Sequence, residues 1–216
     1  RNFIRHERQR ADAEHAAGLQ AGDSMVCAFY SREITDGTVS ILAGWTQQIN
    51  ERTSSGLLAV WVRVFQVGDV APILTLTGHA TGSTGDSAIA QIAAWRPSVA
   101  STALVINGTP ATNASQQNIG PIGGLIALPG DVVLCVGGKR DDWTSVATLT
   151  GDGLTWNEIG EPDTTSGADA GLVWSYAIVG ANLTTVTAKT FAVTGGAAAV
   201  GKGCMFALTL APNTSL

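Results

Sequence analysis

The chain is poor in charged residues. Only 13% of its 216 residues are Asp, Glu, Lys or Arg, which is about half the usual share in a globular domain. A soluble monomer normally exposes more charge, so the deficit indicates a surface that is covered by neighbouring molecules or solvated mainly by Ser and Thr hydroxyls. The net charge is −5, and no basic stripe is available to displace counterions, which argues against a nucleic-acid partner.

The chain also lacks long apolar runs and a cysteine framework. No apolar run approaches the roughly 20 residues that cross a bilayer, and no signal-peptide pattern opens the sequence, so we expect no membrane partner. Its three cysteines, Cys27, Cys135 and Cys204, are an odd number without CxxC spacing. We interpret them as small apolar strand residues rather than as disulfides or metal ligands.

Features of an enzyme are scarce as well. The three histidines, His6, His15 and His79, are scattered, and no Gly-x-Ser-x-Gly elbow is present. Residues 196–203 fit the phosphate-loop pattern G-x-x-x-x-G-K, but Gly203 stands where Ser or Thr would hold Mg²⁺, and a strand-like run follows. We therefore predict a hairpin loop there, and a non-enzymatic protein with no cofactor and no metal site. A catalytic triad assembled in space stays the less favoured alternative.

What the sequence does contain is an internal repetition. Gly22-Asp23 opens an apolar run that contains Cys27 and ends at Arg32, and the same order recurs 108 positions later from Gly130-Asp131. A Gly-Asp turn followed by a short apolar run is typical of a loop that enters a buried strand. Three further matches keep the same order: Gly44-Trp45-Thr46 with Gly153-Leu154-Thr155, Val60-Trp61 with Val173-Trp174, and Asp86–Pro97 with Gly201–Pro212. We predict pseudo-repeats over residues 21–97 and 129–212, joined by residues 98–128.

Short segments with a period of two predict strands, and a helical period is nowhere sustained beyond residue 22. The predicted strands are Ser24–Ser31, Gly56–Val67, Ile73–Thr77, Asp86–Trp95, Thr102–Asn107 and Gly123–Leu128, with residues 109–118 as a surface loop. In the second strand Leu58, Val60 and Val62 share a dry face, whereas Trp61 and Arg63 share a partly exposed one.

Each half offers about four strands with an apolar face, and two such sheets can bury those faces against each other. The predicted fold is therefore all-β. It is a jelly-roll-like β-sandwich of about ten strands over residues 21–216, built from two duplicated halves that share a core. Two separate small barrels are the alternative.

Residues 1–20 differ from the rest and are predicted to form an N-terminal arm. Four of the twelve basic residues lie here, interleaved with acidic ones. The stretch from Glu7 to Gln20 has no Pro and several Ala, which permits a short helix with a weak apolar face. We predict that the arm docks on a partner, with a frayed terminus as the alternative. The residues expected to make this contact are Phe3, Ile4, Arg5, Arg8 and Arg10.

Four short segments form a pattern that is shared with known proteins: Ala17–Asp23 leading into an apolar strand, Gly44-Trp45-Thr46, the strand Ala59–Val64, and a strand closed by Arg96-Pro97. Over about residues 17–212 the chain resembles a broad group of phage virion β-sandwich domains, found in head decoration proteins and in minor tail or fibre proteins. Leu154 departs from the pattern, since it replaces the Trp of the second Gly-Trp-Thr, and residues 1–16 are not part of it. The resemblance implies a virion protein without enzymatic activity, present in many copies or as a homo-oligomer. Its expected partners are the major capsid protein or other virion proteins.

Two functional hypotheses follow. The first is a capsid decoration protein that stabilises the exterior of the head. The second is a tail-associated or fibre module that binds host-surface glycans, with Trp143 as the candidate surface contact because it lies in a predicted loop. In the same loop Asp141 and Asp142, with Asp152 nearby, offer oxygen ligands for Ca²⁺, but no EF-hand spacing supports them. Solvated carboxylates are the favoured interpretation.

Overall fold

The structure is a computed structural model, and it describes residues 10–12, 19–32, 37–41, 43–53, 56–78, 87–96, 106–164 and 169–209. These residues form nineteen β-strands and no helix, which confirms the all-β prediction. Among them there is accordingly no helix long and apolar enough to cross a membrane.

The strands pair antiparallel throughout the described residues. In chain order they are β1 (Arg10–Asp12), β2 (Ser24–Arg32), β3 (Thr38–Ile41), β4 (Thr46–Thr53), β5 (Gly56–Val64), β6 (Ile73–Thr77), β7 (Ser87–Trp95), β8 (Ile106–Gln116), β9 (Ile119–Ile122), β10 (Leu125–Ala127), β11 (Val132–Lys139), β12 (Ser145–Val146), β13 (Trp156–Gly160), β14 (Asp163–Thr164), β15 (Ala170–Ile178), β16 (Thr184–Val186), β17 (Lys189–Phe191), β18 (Val193–Thr194) and β19 (Ala199–Leu208).

Two large sheets form the centre of the molecule. Sheet I has the strand order β4-β5-β2-β7, and sheet II has the order β13-β15-β11-β19-β8, with β14 beside β15. Alternate residues of each strand point to the same side of a sheet, and the facing sides bury one shared core. Its members include Val26, Val60, Leu134, Trp174 and Phe206. The predicted β-sandwich is confirmed.

The outer faces of both sheets are covered as well. An outer sheet, β1-β6-β3, packs over sheet I and buries Phe29 and Trp61. Three two-stranded ribbons, β9-β17, β10-β16 and β12-β18, pack over sheet II and bury Cys135 and Met205. These four layers explain why β2 and β11 are buried at nearly every position rather than at alternate ones. The prediction of a partly exposed face at Trp61 is wrong, because the outer sheet covers it.

The two large sheets have matching strand orders. β2 and β11 are central, β5 and β15 flank them on one side, and β7 and β19 flank them on the other, with β4 and β13 beyond β5 and β15. β2 begins at Ser24 and β11 at Val132, so the 108-residue offset of the two Gly-Asp turns continues into the strands. This topology agrees with the predicted repetition. Descent of the halves from a duplication, and a jelly-roll connection, stay predictions.

The strand register corrects one predicted equivalence. Trp61 pairs with Cys27, whereas Trp174 pairs with Val136, one residue beyond Cys135. Trp61 therefore faces the outer sheet and Trp174 faces the shared core, because a shift of one residue turns a side chain to the other face. The equivalence of the two tryptophans is wrong, although both side chains are buried.

Two other predictions about local structure are wrong. Residues 109–118, predicted as a surface loop, lie mostly in β8, because pairing with β19 supplies their backbone hydrogen bonds. Arg10–Asp12, placed in an arm with a helical segment, form β1 and pair with β6. Sheets I and II together hold ten strands, the number predicted for the sandwich, and the outer layers add nine described strands of two to five residues. Two of the nine, β6 and β10, fall within predicted strands, whereas a strand of two residues such as β12 or β18 is too short to show a period of two.

Several predicted contacts lie outside the described residues. They include Phe3, Ile4, Arg5, Arg8 and the three histidines. For Arg10 the structure describes the backbone, in β1.

Candidate functional site

The segment that fits the phosphate-loop pattern is mostly strand. Lys202 lies in β19, and its Nζ is 3.4 Å from the Glu51 carboxylate on β4. Only residues 195–198 separate β18 from β19, so the loop is shorter than predicted. The buried Lys202 amine joins sheet II to the edge strand of sheet I, and it does not project from a loop toward a phosphate.

Trp143 is buried. It packs in the apolar cluster between sheet II and the ribbons, against the backbone of Gly171. Its indole Nε1 donates to the carbonyl oxygen of Glu161 at 3.1 Å. The predicted surface contact at Trp143 is therefore wrong, because the segment after β11 folds back over sheet II. None of the six tryptophans is exposed, and all six lie in the described part of the chain.

Three carboxylates meet beside Trp143. One oxygen each from Asp141, Asp142 and Asp169 lies within 4.8 Å of the others. Burial, and then the charges of Asp141, Asp169 and Asp163, raise the pKa of Asp142. Oxygen ligands suit hard cations such as Ca²⁺, so this acidic cluster is the candidate cation site of the described residues. One member already has a bond within the fold, since Asp141 accepts a hydrogen bond from the backbone N–H of Ala197.

Asp152, considered as a further Ca²⁺ ligand, lies elsewhere. Its carboxylate is 2.5 Å from Nζ of Lys189 and accepts a 2.9 Å hydrogen bond from Oγ1 of Thr187. Burial alone would raise the pKa of Asp152, but the bonds from Lys189 and Thr187 outweigh it and lower that pKa. Sequence reasoning missed Asp169 because it lies far along the chain, and only the pairing of β11 with β15 brings it near.

The two Gly-Asp turns share the same hydrogen bonds. Asp23 Oδ2 accepts from the backbone N–H of Gln20, and Asp131 Oδ2 accepts from that of Leu128, both at 2.8 Å. The glycine before each Asp has a positive φ, which glycine adopts without steric cost. Both carboxylates are buried, at 4% and 3% exposure. The repeated motif is thus a repeated turn with a buried carboxylate.

Among the described residues, a cation lies beside the first carboxylate but not beside the second. Arg96 donates from Nε to Oδ1 and from Nη2 to Oδ2 of Asp23, each at 2.9 Å. These hydrogen bonds lower the pKa of Asp23. At the second turn, Oδ1 of Asp131 is buried and has no hydrogen-bond partner among the described residues.

Thr209 stands where the first half has Arg96. In sheet I, Trp95 pairs with Ser24, the first residue of β2, and Arg96 directly follows Trp95. In sheet II, Leu208 pairs with Val132, the first residue of β11, and Thr209 directly follows Leu208. The second half therefore keeps the buried carboxylate but lacks the guanidinium. Sequence alignment of the halves missed this because it placed their last strands two residues out of register.

Apolar side chains are exposed directly outside the second turn. β10 and β16 form a ribbon whose register, continued by one residue, sets Leu128 opposite Leu183 and leaves Ile126 on the same face. The exposures of Ile126, Leu128 and Leu183 are 62%, 39% and 61%. We call these three side chains the ribbon face. It adjoins Asp131, because the backbone N–H of Leu128 donates to that carboxylate.

Comparison with models of protein families, with curated proteins and with solved structures gives no match to this chain. The function must therefore be inferred from the chain's own residues. The described surface offers two candidates, the acidic cluster and the ribbon face beside Asp131. The second combines exposed apolar groups with a buried carboxylate that has an unpaired oxygen, so it is the better candidate for contact with another protein.

Proposed function

We propose that this chain is a non-enzymatic structural protein of a phage virion, a decoration protein bound in many copies to the exterior of the head. The observation that carries the proposal is the ribbon face, where three apolar side chains are exposed on a chain with only 13% charged residues. Exposed apolar side chains that adjoin one another mark surfaces of contact with other proteins. The resemblance of the strand segments to phage virion β-sandwich domains supplies the setting.

The mechanism is adhesion by a rigid body. The central strands β2 and β11 are buried on both faces, so the four packed layers form a block. A protein that binds only the assembled shell stabilises the shell by mass action. The expected partners are the major capsid protein or other virion proteins, contacted through the ribbon face or through the arm.

Locating the protein on intact particles by electron microscopy tests the proposal, and we expect regular density on the head exterior. Purified chain should also bind empty capsids. Serine substitutions at Ile126 and Leu183 should reduce its occupancy, while the matched exposed position Val67, outside the ribbon face, should tolerate serine. Absence of the protein from the particle, or no binding to capsids, would refute the proposal.

The arm is tested separately by deleting residues 1–9. The deletion stops there because Arg10–Asp12 pair with β6 in the outer sheet. If Phe3, Ile4, Arg5 and Arg8 contribute to docking, particle occupancy falls while the thermal unfolding of the free chain stays unchanged. Undiminished occupancy would remove these residues from the docking surface.

A tail-associated or fibre module that binds host-surface glycans is the alternative. Its predicted contact, Trp143, is buried, and of the other five tryptophans only Trp45 and Trp95 are even partly accessible. A glycan array separates the two proposals. Sugar binding together with no binding to capsids would favour the tail module.

A further inference from the structure

We propose that the ribbon face binds an uncharged, apolar surface of the shell protein, and that the contact forms by burial of apolar groups rather than by pairing of charges. The contact rests on the proposed function and adds the chemistry of the surface that receives the ribbon. Burial of apolar surface is non-directional and does not depend on charge. Binding should therefore persist at salt concentrations that screen charge pairs.

The ribbon is built from the two longest charge-free parts of the sequence. Residues 97–130 and residues 170–188 contain no Asp, Glu, Lys or Arg. β10 comes from the first part and β16 from the second. The first part also supplies β8 and β9, which contact β19 as β10 does. The ribbon and the strands around it on sheet II therefore bring no charged side chain to this part of the molecule.

The ribbon is apolar on both of its faces. The inner face is covered, since Ala127 and Val186 are buried in the cluster against sheet II. A pair of strands with one buried face normally turns polar side chains to water on the other. Here the outer face presents Ile126, Leu128 and Leu183. Adjoining apolar side chains on an outer face mark a surface that another protein covers.

The charged groups that contact the ribbon do not reach its outer face. Asp152 anchors the end of β16, because it accepts hydrogen bonds from the backbone N–H and the hydroxyl of Thr187. Its charge is paired with Lys189, and the two side chains are only 10% and 7% exposed. Asp131, which accepts from the backbone N–H of Leu128, is buried as well. A charged partner surface would lose its hydration at the ribbon without gaining an opposite charge.

The net charge favours the shell over a second copy as the partner. Each chain carries a net charge of −5, so two copies repel each other as they approach. The ribbon is also fixed before it binds, since Asp131 and Asp152 hold its backbone from both strands. A fixed surface loses less conformational entropy on binding than a mobile one does.

Binding of the purified chain to empty capsids at increasing salt tests the chemistry of the contact. Pairs of exposed charges are largely screened at about 1 M salt, where the Debye length is about 3 Å. We expect the dissociation constant to change by less than about twofold between about 0.05 M and about 1 M sodium chloride. A dissociation constant that rises steadily with salt would overturn the proposal.

Thr185 is a position at which a charge of either sign can be added. Its exposed side chain lies on the outer face of the ribbon, directly across from Ile126. Thr185→Glu and Thr185→Lys should each weaken binding by about tenfold or more, because either charge must lose its water against an apolar partner. Tighter binding of one of them would show that the partner carries the opposite charge, and the proposal would be wrong.

Thr75 provides the matched control. It is exposed in β6, in the outer sheet on the other side of the molecule. Thr75→Glu and Thr75→Lys should bind capsids as the wild type does. All four variants should unfold within about 0.5 kcal/mol of the wild type, because each changes an exposed residue.

The remaining outcomes separate this contact from the proposed function. A wild-type chain that does not bind capsids would refute the proposed function, and the contact with it. Salt-sensitive binding, or binding that a charge at Thr185 improves, would refute the contact alone. Sedimentation of the free chain shows whether a second copy covers the ribbon face. Association that Thr185→Glu and Thr185→Lys both abolish would assign the ribbon face to a second copy and would also overturn the proposal.

Discussion

Asp23 and Asp131 provide a comparison of single residues within one molecule. Each follows a glycine with positive φ, accepts one backbone N–H through Oδ2 and is almost completely buried. They differ in one respect, since among the described residues Asp23 is paired with an arginine and Asp131 is not. Any difference in how the two sites respond to substitution therefore reports on Arg96.

Asp23→Asn should lower the stability of the chain, whereas Asp131→Asn should not. The first substitution breaks a charge pair, while the second removes a charge that has no cation beside it among the described residues. Because the folded pKa of Asp23 lies below its unfolded value of 3.8, the stability from this pair is fully present above that pH. It is lost as pH falls through the lower, folded pKa.

Urea unfolding at neutral pH and below pH 3.8 measures both effects. The Asp23→Asn chain should have a lower midpoint at neutral pH and should lose less stability on acidification than the wild type. Equal midpoints for the two Asn variants would contradict the role given to Arg96.

Lys189→Met should cost about 3 kcal/mol of unfolding free energy, because it leaves the Asp152 carboxylate buried without its cation. The Lys189 amine is 2.5 Å from that carboxylate, donates to the Thr150 carbonyl at 2.9 Å and lies 5.8 Å from the centre of the Trp156 ring. Chemical denaturation checks the value.

Lys202→Met is the matched control for Lys189→Met. Its partner Glu51 keeps 41% of its side chain exposed, so water can solvate the carboxylate that the substitution leaves behind. We expect a clearly smaller loss of stability. An equal loss in both variants would show that lysine burial, rather than the charge pair, decides the effect.

At the scale of elements, β2 and β11 are complementary where they face each other. Tyr30 precedes Gly138 by the same 108 positions that separate the two turns, and the Tyr30 ring packs directly over Gly138. Equivalent positions of the two central strands thus meet across the shared core. A ring fits on one strand because the other has no side chain there.

Gly138→Ala should destabilise the chain by about 1–3 kcal/mol, because the added methyl group would overlap the Tyr30 ring. Gly180→Ala is the control, since nothing lies within 4 Å of a methyl group at that position, and it should stay within about 0.5 kcal/mol of the wild type. Urea unfolding measures both. Combining Gly138→Ala with Tyr30→Leu should recover part of the loss, and strict additivity of the two would argue against the contact.

At the scale of the whole molecule, the four layers bury every cysteine of the chain. Burial raises the pKa of the Cys27 thiol to about 12 and raises those of Cys135 and Cys204 as well. Thiol reagents react with the thiolate, so the native chain should be unreactive at mildly alkaline pH. Reaction then reports opening of the fold.

Because Cys27 lies in sheet I and the other two cysteines lie in sheet II, labelling followed by mass spectrometry shows whether the sheets open together. The shared core predicts that all three cysteines react at one rate, set by global unfolding. Earlier reaction of Cys27 alone would mean that sheet I separates as a unit of its own.

The sequence by itself determined the elements with a strong local pattern. β2, β5, β6 and β7 were predicted within a few residues of their observed ends, because an apolar or alternating run bounded by turn formers specifies a strand without reference to the rest of the chain. The burial of Cys27, Cys135 and Cys204 followed from the same runs. So did the two Gly-Asp turns, whose hydrogen bonds are local.

Only the tertiary structure decided which faces are covered and which distant residues meet. A period of two separates the faces of a strand but does not say what lies over each, so the burial of Trp61 and Trp143 depended on the outer layers. Two findings depend on pairing between strands far apart in the chain. Asp142 lies beside Asp169, and Thr209 occupies in sheet II the position that Arg96 has in sheet I. Asp131 differs from Asp23 in the same way, because the arginine beside Asp23 comes from the end of a neighbouring strand, and Thr209 stands at that position in sheet II.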